Sequence, residues 1–465
     1  MVVMKFGGTS LGSVDRIKGA ARVVASSRQS DPIVILSAMG GVTDRLLDAG
    51  DMAIRGADQE VVESLKSLRR THQSAVAGLI EDAGAAEALV SELEPIWEEM
   101  QKVLTGVLLL RELSTRSRDL IGSFGERLIV PIFSAYLNQI GVRAEAVDAR
   151  KIILTKDDAD FALVDFQETK RRCSELVEMV GRGMVPVVTG FICATPEGIT
   201  TTLGRGGSDY TASVVGFSVD ASEIQIWTDV DGVMTADPRI VSTARVLHRI
   251  SYKEAAEMSY FGAKVLHPKT IMPAADLNIP IHIKNTFDPD QEGTLITTES
   301  PKIHQGVKTV SSITGVTLVS IEGRGMLGVP GTAQRAFGAI ASRRINVLMF
   351  SQGSSEQHIS LVVSKQDGDN TVRALRREFE PEIDKRQVDR IATISNIAII
   401  ALVGEGMKSI PGIAARTFGV IGDTDMNILM IAQGSSELNL SLVVSQSDAS
   451  NAVRLIHDAF ELGDV

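Results

Sequence analysis

Two glycine-rich stretches carry the residue types that hold anions. Lys5-Phe-Gly-Gly-Thr-Ser10 closes an apolar run, Val2 to Phe6, and precedes a helical pattern that begins near Ser13. Glycines let a backbone approach a ligand closely, amides at a helix N-terminus favour an anion, and a lysine adds positive charge, so this stretch reads as a phosphate cradle. The pattern G-x-x-x-x-G-K-[ST] is absent, which removes a Walker-type loop, and Gly-Gly after a strand by itself marks only a tight turn. Thr201-Thr-Leu-Gly-Arg-Gly-Gly-Ser-Asp209 is richer, because glycines, hydroxyls, a guanidinium and a carboxylate all precede the helical run Tyr210 to Phe217. A capping loop needs only its Ser208-Asp209 end. Arg205 among glycines offers a fork that suits a carboxylate or a phosphate.

Three further stretches carry polar groups. Trp227-Thr-Asp-Val-Asp-Gly-Val-Met-Thr-Ala-Asp-Pro-Arg239 follows an apolar run and so falls at the C-terminal edge of a strand, where open α/β sheets bind ligands. Asp229, Asp231 and Asp237 lack the twelfth-position Glu of a calcium loop, and a turn-rich connection is the alternative. Phe261-Gly-Ala-Lys-Val-Leu-His-Pro268 supplies another lysine, which alone reads as a solvated charge, and the histidines show no ligand spacing. Ser123-Phe-Gly-Glu-Arg127 lies on a helix whose apolar stripe is Leu120, Phe124, Leu128 and Ile132, so Glu126 points away from the stripe and reads, by spacing alone, as a solvent-facing acid.

The elements that position these groups follow from periodicity. Val2 to Phe6, Pro32 to Ser37, Val185 to Thr189, Ile224 to Thr228 and Ile279 to Lys284 read as strands, and Val14, Ile17, Ala21 and Val24 recur at helical spacing between the first two. This alternation over about the first 290 residues predicts a mostly parallel sheet covered by helices. Met52 to Arg118 is Ala-, Glu- and Leu-rich and reads as long helices forming a lid or flap, and Asn285 to Gly293 reads as the exit from the layer. Farther on, sliding the chain on itself by 81 residues lays Val316–Val363 over Ile397–Val444 with about 22 of 48 positions identical. Each copy reads strand, Gly-rich loop, helix, strand, strand, helix: Val316 to Ile321, Thr332 to Arg344, Val347 to Phe350, His358 to Val363 and Thr371 to Phe379 in the first. That is a ferredoxin-like βαββαβ pattern.

Composition bounds the rest. The 465 residues suffice for about three domains. A net charge of −11 and a pI near 5.3, with no Lys/Arg run, exclude the cationic surface of a nucleic-acid binder. Cys173 and Cys193 have no metal-ligand spacing and suit a reducing compartment, for which the cytoplasm is the default. No stretch approaches 18 consecutive apolar residues and the N-terminus reaches glycine too soon for a signal peptide, so no membrane partner is expected.

Taken in order, Lys-Phe-Gly-Gly-Thr-Ser, Ser-Phe-Gly-Glu-Arg, Thr-Thr-Leu-Gly-Arg-Gly-Gly-Ser-Asp, Thr-Asp-Val-x-Gly and Phe-Gly-Ala-Lys-Val-Leu-His-Pro resemble the aspartate kinases of the amino-acid kinase superfamily, and the C-terminal repeats resemble their paired ACT domains. The resemblance implies an α/β fold: an amino-acid-kinase three-layer sandwich over residues 1–298, followed by ferredoxin-like ACT domains at 312–386 and 393–465. It implies transfer of the ATP γ-phosphoryl group, with Mg2+, to the β-carboxylate of L-aspartate, the first step toward lysine, threonine and methionine. By resemblance, Lys5, Gly7, Gly8, Thr228, Asp229, Met234, Arg239, Lys264 and Val265 take ATP, with Lys5 and Asp209 catalytic and no protein metal cluster. Met234 stands where the family often has tyrosine. Thr43, Glu126, Arg205 and Ser208 match the aspartate positions, Arg205 taking a carboxylate and Glu126 the ammonium. Met326, Gly331, Asn346, Gln352, Asn427 and Gln433 are the effector candidates, with threonine favoured over lysine because amides and hydroxyls suit a hydroxyl. The ACT pair implies a homodimer or higher homo-oligomer. The alternatives are a kinase for glutamate, acetylglutamate or a nucleotide, and an amino-acid sensor whose kinase has decayed. A fused homoserine dehydrogenase is not expected from the residues that follow Glu437.

Overall fold

The computed structural model describes residues 1–156, 163–261, 266–299, 301, 306–326, 329–353, 357–407, 410–434 and 438–463. It contains two compact units: Met1–Val233 with Val246–Ala256 and Lys264–Ser300, and Met234–Arg245 with Glu257–Ala263 and Pro301–Val465.

The strands of the first unit are β1 (Val2–Phe6), β2 (Pro32–Leu36), β3 (Ala144–Val147), β4 (Val185–Thr189), a hairpin of β5 (Ile192–Ala194) and β6 (Thr200–Thr202), β7 (Glu223–Thr228), β8 (Arg249–Ser251), β9 (Ile281–Asn285) and β10 (Thr294–Thr297). Among the described residues the main sheet runs β3-β4-β2-β1-β7-β9-β10-β8. Every neighbouring pair from β3 to β9 is parallel. The strands β1, β2 and β4, rich in apolar residues, are buried along their whole length, Lys5 of β1 included, as strands covered on both faces must be.

On one face lie α1 (Val14–Ser26), α2 (Val42–Arg55), α3 (Asp58–Leu79), α4 (Ala83–Leu110) and α5 (Thr115–Gln139), and on the other α6 (Phe166–Arg172), α7 (Ser174–Gly181), α8 (Gly207–Ser218) and α10 (Pro268–Asp276), α9 (Tyr252–Tyr260) preceding the last. This gives the expected three layers. The segment expected to form a flap does more: Leu68, Trp97, Met100 and Leu104 join Phe6, Leu36, Phe124 and Phe133 in one buried cluster. Helix α5 is long and apolar enough to cross a membrane, yet 78% of its most apolar window is buried, because it runs through this core. That explains why its acidic residue defeats a stripe argument. A helix enclosed on nearly all sides has no solvent face, and Glu126 is 2% exposed rather than solvated.

The turn-rich Asn285–Gly293 stretch is not an exit. It closes a hairpin in which β10 pairs antiparallel with β9. Gly293 has φ +76°, and a Cβ there would lie 2.1 Å from the Ile283 carbonyl oxygen, so the turn admits only glycine. Strands β3, β8 and β10 are three or four residues long, too short for periodicity to reveal.

In the second unit β11 (Thr309–Glu322), β12 (Val347–Gln352), β13 (His358–Ser364), β14 (Arg390–Val403), β15 (Met430–Gln433) and β16 (Asn439–Ser445) form a sheet in the order β12-β13-β11-β14-β16-β15. Helices α11 (Thr332–Ala341), α12 (Gly368–Glu378), α13 (Glu380–Asp384), α14 (Ile413–Gly422) and α15 (Ala449–Ala459) complete the repeats. The two repeats exchange strands. Ile321 pairs with Ile391 and Leu318 with Ile394, so the start of β14 completes the first repeat, while Thr309 pairs with Val403 and Ile313 with Ile399, so the start of β11 completes the second. Cores agree with the pairing: Val388 and Ile391 pack with the first repeat, Val307 and Val310 with the second.

The glycines of the Gly-rich loops in the repeats, Gly323-x-Gly325 and Gly404, are packing devices. A Cβ on Gly323 would lie 2.3 Å from the Gln387 carbonyl oxygen, and one on Gly404 2.1 Å from that of Gly306. Their amides are consumed by the backbone: Gly323 N–H donates to Gln357 at 3.0 Å, Gly325 N–H to Gln387 at 3.0 Å and Gly404 N–H to Leu438 at 3.0 Å. Met326 is 3% exposed, its side chain part of the first repeat's core.

Candidate active site

Strands β1, β2 and β7 are parallel neighbours, and a cleft of 560 Å³ opens at their C-terminal ends. It is lined by Lys5 of β1, Gly7 and Gly8 after it, Ser37 to Gly41 with Thr43 and Asp44 after β2, Glu126 of α5, Phe191, Gly204 to Asp209 before and within α8, Ile226 and Thr228 of β7, and Asp229 after it. Ten of the expected site residues therefore come together: Lys5, Gly7, Gly8, Thr43, Glu126, Arg205, Ser208, Asp209, Thr228 and Asp229.

Of the remaining nucleotide-side expectations, the two that are described do not line the cleft. Met234 and Arg239 belong to the second unit, where the Met234 carbonyl accepts from Thr309 Oγ1 at 3.0 Å and the Arg239 guanidinium forks onto Asp237. Lys264 and Val265 lie outside the described residues.

Close backbone approach builds the cleft. A Cβ on Gly8 would lie 3.0 Å from the Ala38 carbonyl oxygen, and one on Gly40 3.1 Å from that of Gly8, so the first two loops touch main chain to main chain. Helices α2 and α8 begin after Gly41 (φ 74°) and Gly206 (φ 69°), and neither N-terminus has a side-chain cap. The first N–H of each, on Val42 and Gly207, donates to the Met39 and Gly204 carbonyls at 3.0 and 2.9 Å, which leaves the later first-turn N–H groups, oriented with the helix dipole, to serve an anion in the cleft. Lys5 Nζ forms an ion pair with an oxygen of Asp209, in the first turn of α8, with side-chain exposures of 10% and 15%. Burying such a pair costs desolvation that its own attraction scarcely offsets, which suits a cation meant to be shared with a third, anionic partner. Among the described residues Arg205 has no hydrogen bond or ion pair, and it is exposed at the rim.

Glu126 Oε1 accepts from Ala38 N–H at 3.0 Å, while its buried Oε2 has no partner among the described residues. Gly125 makes this contact possible, since a Cβ there would lie 2.6 Å from that of Ala38. Burial pushes the Glu126 carboxyl up to about 8, against a smaller lowering by the Ala38 hydrogen bond. A folded-state value above the unfolded one means that the folded chain holds the proton more tightly. Stability is then greatest below about pH 4.5 and falls by at most about 1.4 kcal/mol per unit until about pH 8. Glu126→Gln should remove that slope and be relatively more stable at pH 8.5. Urea midpoints measured from pH 5 to 9 test this, and parallel curves for the two proteins would contradict it.

Ala38 to Gly41 and Phe191 were missed by sequence reasoning, although a signal existed for the first. The chain has three Gly-Gly pairs, at 7–8, 40–41 and 206–207, and all three line this cleft. Phe191 adopts φ 69°, unusual for a bulky residue, and is held by hydrogen bonds from its N–H to Thr211 Oγ1 at 2.9 Å and from Leu203 N–H to its carbonyl at 2.9 Å. His267, assigned a structural role from sequence, caps α10 by accepting from Lys269 N–H at 3.3 Å. Cys173 and Cys193 are unpaired and buried, and burial pushes both thiols up to about 12.

A parallel sheet with a glycine-lined, cation-bearing cleft at its strand ends defines a phosphate-handling class of protein. In keeping with that, residues 1–285 match the model of the Amino acid kinase family, and residues 319–379 and 400–460 match that of the ACT domain. Aspartokinase 1, chloroplastic, of Arabidopsis thaliana is 35% identical over 476 residues, covering 100% of this chain and 81% of that protein. The bifunctional aspartokinase/homoserine dehydrogenase 2, chloroplastic, of the same plant is 34% identical over 466 residues and covers 99% of this chain, which spans 50% of that relative's length. The crystal structure of E. coli aspartokinase III in complex with aspartate and ADP, in the R-state, aligns with a TM-score of 0.83 at 30% identity over 99% of both chains. The same protein with lysine and aspartate, in the T-state, gives 0.79 at 30% identity, again over 99% of both. The chain belongs to the amino acid kinase family and, within it, to the aspartokinases.

Proposed function

We propose that this chain phosphorylates the β-carboxylate of L-aspartate from ATP, giving 4-phospho-L-aspartate and ADP, at the head of lysine, threonine and methionine synthesis. The observation that carries the proposal is one cleft holding the Lys5–Asp209 pair, the free Arg205 and the buried Glu126 together. The attacking carboxylate is ionised at neutral pH, with a reference pKa of about 3.9, so no general base is needed. What the reaction needs is two anions held in line and charge spread from the moving phosphoryl group. Lys5 does the second, with Asp209 orienting it, while the Gly8 amide, the close backbone approach that Gly7 permits and the polar groups of Thr228 and Asp229 hold the nucleotide. Arg205, Ser208 and Thr43 take the carboxylates of aspartate. The unpartnered Glu126 Oε2 takes its ammonium, which makes the substrate an amino acid.

Mg2+ that travels on nucleotide phosphates keeps several waters and uses only one or two protein carboxylates. The cleft's Asp209 and Asp229 fit that need and would hold the ion, which would supply screening of the phosphate charge. The aspartate-and-ADP complex of E. coli aspartokinase III supports these substrates. We assign residues 1–298 to catalysis and 312–386 and 393–465 to two regulatory modules, each completed by the strand exchanged from the other's flank. We also assign Lys264 and Val265 to the nucleotide side. The buried, unpaired thiols favour the cytoplasm or another reducing compartment.

For regulation, α11 and α14 begin after Gly331 (φ 89°) and Gly412 (φ 88°) without a side-chain cap, which leaves two dipole-aligned N-termini for an effector's carboxylate. The exposed side chains of Asn346 and Gln352, and of Asn427 and Gln433, grip its polar end, Met326 contributing through its backbone. Threonine is our assignment over lysine, the ligand of the E. coli T-state structure. Strands β12 and β15 are sheet edges with exposed Phe350 and Ile431, and two copies pair through these modules.

The test is ADP release with aspartate, glutamate and acetylglutamate, with the acyl phosphate trapped by hydroxylamine. Aspartate alone should support turnover; an equal rate with another acceptor overturns the assignment. In the same assay threonine should inhibit cooperatively, and Gln352→Ala should weaken inhibition about tenfold without lowering the uninhibited rate. Inhibition by lysine with none by millimolar threonine would replace the effector and leave the kinase reading intact.

A further inference from the structure

Strand β9 ends at Asn285, which lies in parallel register beside Thr228, the last residue of β7. Burial alternates along β9, and Asn285 falls in phase with Ile281 and Ile283, so its amide is turned inward at 9% exposure. Neither Asn285 nor Thr286 lines the catalytic cleft.

Both ends of that amide are used. Nδ2 donates to Asp231 Oδ1 at 2.6 Å, and Oδ1 accepts from Phe287 N–H at 2.8 Å. A carboxylate only accepts and an N–H only donates, so the amide fits in one orientation. Thr286, 5% exposed, makes two more ties: its N–H donates to the Thr228 carbonyl at 2.8 Å, and its hydroxyl lies 2.7 Å from that of Ser10. Phe287 carries the Arg16 guanidinium over its ring at 4.8 Å, and Arg16 Nη1 donates to the Thr9 carbonyl at 2.9 Å.

These bonds converge on the two loops assigned to the nucleotide. Thr228 and Asp231 are the ends of a span whose middle residues, Asp229 and Val230, are exposed. An exposed loop takes its position from the scaffold that grips it, and here the grip falls on either side of Asp229. In the other loop, Thr9 and Ser10 directly follow Gly7 and Gly8.

We infer that Asn285 is a positioning residue for the nucleotide: without touching ATP, it fixes the loop bearing Thr228 and Asp229 against the loop bearing Gly7 and Gly8. The inference rests on the nucleotide reading of the cleft and adds a residue to it. Thr43, Glu126, Arg205 and Ser208, assigned to aspartate, take no part in these bonds, so the effect belongs to the nucleotide.

Calorimetric titration of the full chain with ADP in the presence of Mg2+, and initial rates with each substrate varied in turn, test it. Asn285→Ala should weaken ADP binding and raise the ATP KM by about tenfold, the loss expected when a hydrogen bond to a charged group is removed, while kcat and the aspartate KM change by less than about threefold. Asn285→Asp keeps the acceptor for Phe287 N–H but sets a like charge against Asp231, and it should weaken ADP at least as much. Adding Asp231→Asn places a donor before that acceptor with the roles exchanged, and ADP affinity should return to within about threefold of wild type. A role in folding alone would lower the melting temperature and leave the ratio of the two KM values unchanged. That result, ADP bound equally by wild type and Asn285→Ala, or no recovery in the exchanged pair would each overturn the inference. A wild-type chain that takes up no ADP would overturn the nucleotide reading itself, and the inference with it.

Discussion

Lys5→Ala should lower turnover by about 10²- to 10³-fold, the loss typical when a positioned donor to developing oxyanion charge is removed. The lysine is held on β1, the strand flanked by β2 and β7, so its ammonium is placed by the most buried part of the sheet rather than by a loop. Because the Lys5–Asp209 pair is itself nearly buried, the alanine variant strands a carboxylate, and a loss of stability accompanies the loss of rate. Lys5→Ala combined with Asp209→Asn removes that stranded charge and should recover most of the melting temperature while turnover stays low. Steady-state rates and thermal melts on both variants separate the two effects. Turnover near wild type in either would show that the loop after β1 does not act on the phosphoryl group.

Arg205→Ala has the opposite character. The side chain is exposed and bonds to no described residue, so its removal should leave stability unchanged. Its predicted partner is a substrate carboxylate, and a charge-assisted hydrogen bond contributes about 1.5–3 kcal/mol, which corresponds to a rise in the aspartate KM of about 10- to 150-fold. The ATP requirement should move by less than about threefold on the same argument, since the guanidinium serves one substrate only. Initial-rate measurements with each substrate varied in turn decide the matter. A selective loss for ATP would transfer Arg205 to the nucleotide side and leave the amino-acid end of the cleft without its cation.

The two variants differ because the residues sit differently in the fold, and that difference was not visible in their motifs. Both Lys5, at the end of an apolar run that leads into Gly7-Gly8, and Arg205, between Gly204 and Gly206, read as anion ligands. Only the structure shows that one is sealed against Asp209 and the other open to solvent. Glu126 shows the same gap more sharply. Helical spacing places it off the apolar stripe of α5, yet Gly125 brings the helix against Ala38 and the carboxyl is enclosed.

Taken by itself, the sequence determined the elements whose information is local. Short apolar runs marked β1, β2 and β4, because a strand covered on both faces has little room for polar positions, Lys5 of β1 being the exception that serves the site. Gly-Gly pairs marked the loops of the cleft, because a close main-chain approach excludes a Cβ. The 81-residue repeat marked the paired modules, because each must bury the same kind of face. Tertiary structure alone decided what depends on distant partners. It exchanged the opening strands of the two repeats, a choice made by pairing between residues about 70 to 95 apart in the chain, such as Ile321 with Ile391 and Thr309 with Val403. It packed Gly323 against Gln387 and Gly404 against Gly306, and it joined Lys5 to Asp209 across the first unit. Periodicity reports only which face of an element is buried; what that face meets is set by the packing of elements far apart in the chain.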